Sequence, residues 1–204
     1  MISCSQLRAR ARGALGNSIF NGSWLFALLA CVVVNLINGV LSGTGVLAPL
    51  TFIVYGCLQF GLCSFILNSL RGSENKDDLN TLFTGFTDNL GRNIVAGMLI
   101  SIFTFLWSLL FIIPGIVMSY AYSMTFFIMR DNPSMSANEA IKASKNMMKG
   151  YKMKAFMLDL SFIGWIFISV FCCCGIGMLW VTPYMLASKA ALYEHIRGGY
   201  SYEY

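Results

Sequence analysis

Three long stretches of this chain carry no charged side chain: Gly13 to Leu70, Asn93 to Met129 and Leu160 to Ser188. A helix crosses a bilayer with about 20 apolar residues, so each stretch, with its flanks, has room for two crossings. Turn chemistry stands near the middle of each. The first holds Ser42-Gly43-Thr44-Gly45 and Pro49, the second Ile113-Pro114-Gly115, the third Cys174-Gly175-Ile176-Gly177. Proline removes a backbone donor and glycine reaches conformations other residues avoid. Pro114 and Gly115 are therefore the expected helix break of the second stretch.

Between these stretches the pattern changes to amphipathic. Leu79, Leu82, Phe83, Phe86 and Leu90 share one helical face, opposite Asp77, Asp78, Thr84 and Asp88. Ala137, Ala140, Ile141, Ser144 and Met148 form a second stripe, with Lys142, Asn146 and Lys149 opposite and Lys145 at the margin. Ser136 and Glu139 have capping-box spacing, and Gly150 suits a stop. Leu7, Ala11, Ala14, Leu15 and Ser18 make a weaker third stripe.

The pattern predicts an all-α fold: a polytopic membrane helix bundle of about six transmembrane helices in a single domain, residues 1–204. The hairpins span about 24–70, 93–130 and 155–195, each preceded by an amphipathic cytoplasmic segment at about 5–19, 77–90 and 136–149. The crossings fall at about 24–41, 50–70, 93–112, 115–130, 155–172 and 176–195. The similar layout of the three hairpins, with Gly115-Ile116-Val117-Met118 echoing Gly175-Ile176-Gly177-Met178, suggests repetition of plan more than of sequence.

Charge sets the orientation. Arg8, Arg10 and Arg12, then Arg71, Lys76 and Arg92, then Arg130, Lys142, Lys145, Lys149, Lys152 and Lys154, then Arg197 all lie outside the turns. The positive-inside rule puts these segments, and both termini, in the cytoplasm. The net charge of +5 then reflects topology and not nucleic-acid binding. Composition agrees: of 204 residues, 57% are hydrophobic and 11% charged, against about 25% charged in soluble domains. The long first apolar run lacks a cleavage site, so it reads as a retained helix and not a signal peptide. A lipoprotein-like box at Leu28-Leu29-Ala30-Cys31 runs straight on into apolar sequence.

Chemistry is sparse. Asp159 and Lys189 lie inside the fifth and sixth crossings and are close enough in depth to pair. Charges there are costly and by default functional candidates. Asn35 and Asn38, with Gln59 and Asn68, are polar candidates in the first two crossings, suited to helix–helix hydrogen bonds or a polar path. Lys142, Lys145, Lys149 and Lys152 are candidates for contact with anionic headgroups or a partner protein. Seven cysteines, three of them the run Cys172-Cys173-Cys174, show neither zinc nor disulfide spacing. No metal or cofactor is expected. His195 is the one histidine, and no nucleotide-binding or hydrolase signature occurs.

Ile113-Pro114-Gly115-Ile116, Ser144 with Met148-Lys149-Gly150, Leu158-Asp159-Leu160-Ser161-Phe162-Ile163-Gly164-Trp165, Gly175-Ile176-Gly177, Pro183-Tyr184 and Tyr193-Glu194 resemble a bacterial membrane family named "domain of unknown function 975". The resemblance is strongest from Trp107 onward. It implies a multi-pass protein of the cytoplasmic membrane of Gram-positive bacteria, distantly similar to the membrane domain of some glycerophosphodiester phosphodiesterases. The barrel that carries that activity has no counterpart here. In the family Asp159 belongs to the recurrent run, while a small or uncharged residue is expected at Lys189.

The function expected is non-enzymatic: handling of a lipid or small amphiphile, or support of envelope export. The alternatives are an accessory or regulatory subunit of a membrane transporter and, third, an intramembrane enzyme. The sequence leaves the ligand, partners beyond membrane lipids and the oligomeric state open.

Overall fold

The computed structural model describes residues 4–15, 28–29, 31–33, 35–36, 39, 48–71, 79–172 and 178–200. All regular elements among them are helical. In chain order these are α1 (Cys4–Leu15), α2 (Ala48–Arg71), a 3₁₀ helix (Leu79–Phe83), α3 (Thr84–Thr87), α4 (Leu90–Leu110), α5 (Ile112–Tyr122), α6 (Thr125–Asp131), α7 (Ala137–Met147), α8 (Lys152–Leu160), α9 (Ile163–Cys172) and α10 (Met178–Tyr200). The described residues form two compact units. One draws on residues 1–33, 65–79 and 153–204, the other on 34–64 and 80–152.

In the second unit α4 and α5 pack as a hairpin, with α7 against both and α6. Met118, Ala121, Tyr122 and Ile141 are buried together, and Leu99, Ile100 and Phe103 pack on them. Small residues bring backbones close. A Cβ on Gly56 of α2 would collide with the Asn93 carbonyl and meet the Gly97 Cα. One on Gly85 would collide with the Cys57 carbonyl.

The other face of α4 is uncovered. Val95, Met98, Ile102, Phe105, Leu106 and Leu109, at helical spacing, are all exposed. Among the described residues α4 is the one helix long and apolar enough to cross a membrane, and only 17% of its apolar window is buried. A soluble protein's core helix would be mostly covered. Such a contiguous apolar face marks a surface that meets something other than water.

The first unit centres on α10, which packs with α1 and α9. Ala187, Ala190, Ala191, Leu192, Tyr193 and Ile196 of α10 are buried, as are Leu7 and Ala11 of α1 and Ala155 and Leu158 of α8. Met153, Phe156, Met157, Leu160, Ile163, Trp165 and Phe167 are exposed, so α8 and α9 also turn an apolar face outward.

Two expected crossings are divided. The stretch 115–130 breaks into α5 and α6 at Ser123–Met124, and 155–172 into α8 and α9 at Ser161–Phe162. At each break a hydroxyl bonds the carbonyl three residues back, as Ser119 also does within the unbroken α5. Ser123 donates to the Tyr120 carbonyl at 2.8 Å, Thr125 to Tyr122 at 2.8 Å and Ser161 to Leu158 at 2.7 Å. These bonds to the residue three back compete with the α-helical ladder. The backbone tightens in step: Ser123 N–H bonds the Tyr120 carbonyl and Phe162 N–H that of Asp159.

The segment 77–90 is likewise not one amphipathic helix. Its described part runs through the 3₁₀ helix, α3 and a left-handed Asn89 with φ 53°. Phe83 and Leu90 of the expected stripe are exposed. Thr84 donates to the Thr81 carbonyl, again opposing a regular ladder. The segment 136–149 does form a helix, α7, with the capping box made in both directions. Gly150 follows it at φ +82°. Of the first amphipathic segment, α1 covers Cys4–Leu15. Residues 16–19 and the Ser42–Gly45 and Gly175–Gly177 turns lie outside the described residues.

Candidate functional site

The first unit joins its two candidate charges. Lys189 Nζ of α10 stands 3.0 Å from Asp159 Oδ2 of α8. Asp159 sits one residue before the end of α8, where the Ser161 turn begins, so the break that divides the expected crossing also sets where its carboxylate stands. The two side chains are 27% and 18% exposed. The pair is thus neither sealed nor on an open surface, and Phe156, Leu160 and Ile163, within four residues of Asp159 along the chain, are uncovered.

Two further polar contacts leave α10 at five-residue steps on either side. A five-residue step turns about 140° around a helix, so Tyr184, Lys189 and Glu194 face three different helices. Tyr184 faces α1: its hydroxyl donates to the Arg8 carbonyl at 3.3 Å and accepts from Arg12 at 3.4 Å, and the Arg12 guanidinium lies 5.9 Å over its ring. Glu194 pairs with Arg71 of α2 at 2.7 Å. Phe162, just past Asp159, meets Tyr184 edge-on at 5.1 Å. One aromatic contact therefore links the Asp159 turn to the Tyr184 side of α10.

Asn35 is exposed in a described helical fragment, and Asn38 lies outside the described residues. Lys142, Lys145 and Lys149 are exposed and Lys152 half-buried. The opposite face of α7 is not free for lipid: Ala137, Ala140, Ile141, Ser144 and Met148 are buried within their own unit. Pro114 and Gly115 stand in the first turn of α5, one step beyond the turn itself, which falls at Phe111. Proline is tolerated in the first turn because it lacks only a donor that would be unpaired there.

Two groups were not singled out by sequence. The Tyr184–Arg12 contact joins residues 172 positions apart and leaves no local signal. Arg92 reads from sequence as an interface charge. In the fold its guanidinium donates to the carbonyls of Met129, Asn132, Pro133 and Met135. The Asn-Pro pair that follows α6 is the signal for such open carbonyls.

No curated protein and no solved structure matches the chain. Residues 109–199, which hold Asp159, Phe162, Tyr184 and Lys189 but none of Arg12, Arg71 and Arg92, match the model of the family described as "Protein of unknown function (DUF975)".

Proposed function

We propose that the chain is a multi-pass protein of a bacterial cytoplasmic membrane, with about six crossings and both termini inside, that holds a lipid or small amphiphile without transforming it. The observation that carries this reading is the partly open Asp159–Lys189 pair, 3.0 Å apart beside exposed apolar side chains. A charge pair costs too much beside lipid to persist as decoration. Held partly open, it offers one cation and one anion. A zwitterionic headgroup replaces both partners at once and strands neither charge, while its acyl chains lie along Phe156, Leu160 and Ile163.

The test is native mass spectrometry of the protein released from mild detergent. The wild type retains polar lipid. The doubly neutral variant Asp159→Asn with Lys189→Gln loses it while melting within a few degrees of the wild type. Equal lipid retention by a folded double variant overturns the reading. Single replacements also cost stability, about 1–3 kcal/mol, between the values for exposed and buried pairs.

A second reading, an accessory subunit of a membrane transporter, is favoured by α7. Its lysines face outward while its other face is locked into the unit. A charge-reversed Lys142, Lys145 and Lys149 that released a co-purifying membrane protein, with lipid retention unchanged, would select it.

A further inference from the structure

The turn of the α4–α5 hairpin contains no polar side chain from Leu109 to Val117. Leu109, Leu110, Phe111 and Ile113 are among the most exposed large apolar residues of the protein, at 73%, 63%, 68% and 75%. A turn that emerges into water is normally polar and rich in Asn, Asp, Ser or Gly. Part of its backbone is paired within the turn. Phe111 is the sole residue between the helices. Its N–H bonds the Trp107 carbonyl at 3.1 Å, and its own carbonyl accepts from Gly115 at 3.2 Å. Pro114 removes one donor that a helix start leaves open. Gly115 lies so close to Ser108 that any added Cβ would collide, so the hairpin closes tightly.

Length completes the case. Eighteen residues separate Arg92, whose guanidinium binds polar carbonyls at one end of α4, from Leu110 at the other. At 1.5 Å per residue that is about 27 Å, close to the roughly 30 Å of hydrocarbon. The tip thus ends where the hydrocarbon ends. We infer that the α4–α5 tip does not emerge as a loop but stays seated among the acyl chains of the far leaflet, with lipid as its occupant. That setting asks backbone groups to pair internally, and the Phe111 N–H, the Phe111 carbonyl and the Gly115 N–H do so. This rests on the membrane placement proposed above and is independent of the Asp159–Lys189 pair.

The test is thiol labelling of Ile113→Cys by a membrane-impermeant maleimide, in intact cells and in opened membranes, with the modified peptide identified by mass spectrometry so that native cysteines do not interfere. Ser134→Cys, exposed in the α6–α7 turn, is the control. Position 113 is expected to stay unlabelled in both membrane preparations and to label at least about tenfold more in detergent, as position 134 labels once cells are opened. In parallel, Ile113→Lys should lower the amount of protein in the membrane, while Ile113→Leu restores it. Labelling of position 113 from outside intact cells overturns the inference and leaves the membrane reading intact. So does an oxidative 113–113 crosslink between copies, which would make a second chain the occupant. Recovery of the chain in the aqueous fraction overturns both.

Discussion

The Ser144 hydroxyl of α7 donates to the Ala121 carbonyl of α5 at 2.8 Å, and both residues are fully buried. The serine that weakens the apolar stripe of α7 in the sequence is the residue that fastens it. A buried hydrogen bond of this kind contributes about 1 kcal/mol net. Ser144→Ala should lose about that much, read as a lower melting temperature in detergent. Ser144→Leu should lose more, because two further heavy atoms would overpack a fully buried site.

Arg92 fastens the other end of the same unit. Its bonds to four carbonyls need the planar fork of a guanidinium, which an ammonium cannot reproduce. Arg92→Lys should therefore cost about 2 kcal/mol despite keeping the charge. Hydrogen exchange should rise at Asn132–Ser136 and stay unchanged at α5. Equal protection in wild type and variant would show that the turn holds without the clamp.

The capping box of α7 gives a pH dependence whose sign follows from Glu139. Its carboxylate accepts from the Ser136 backbone N–H at 2.8 Å and from the Ser136 hydroxyl at 2.8 Å. The backbone bond first, then the hydroxyl, holds its pKa below the ordinary carboxylate value, and Lys142 adds to this. A depressed folded-state pKa stabilises fully above the unfolded value, about 4.3, and that contribution disappears as pH falls through the lower folded value. Amides in the first turn of α7 should accordingly exchange faster as pH drops below about 4. Glu139→Gln should exchange at a raised, pH-independent relative rate across the same window.

The helical class, the α7 helix with its cap and the closeness of Asp159 to Lys189 were legible because each rests on spacing along one chain. Capping is a four-residue motif, and charge-free length is a direct count. The breaks at Ser123 and Ser161 were not legible, because a serine inside an apolar run is compatible with an unbroken helix, as Ser119 of α5 shows. The split of 77–90 escaped for a related reason. A helical stripe of Leu79, Leu82, Phe83, Phe86 and Leu90 matches the period, but the close approach of Gly85 to Cys57 fixes the backbone locally. Tyr184, Arg12 and Arg71 met their partners across more than a hundred residues, a distance at which periodicity says nothing.

Gly56 and Gly85 reverse the usual map of tolerance. Along α4 and α8 the largest apolar side chains point outward, where one oily residue serves as well as another. At the two glycines the main chains of neighbouring segments touch with nothing between them. A saturation mutagenesis screen of this protein would then find its sharpest intolerance at positions that have no side chain at all, and broad permissiveness at the bulky residues that dominate its composition.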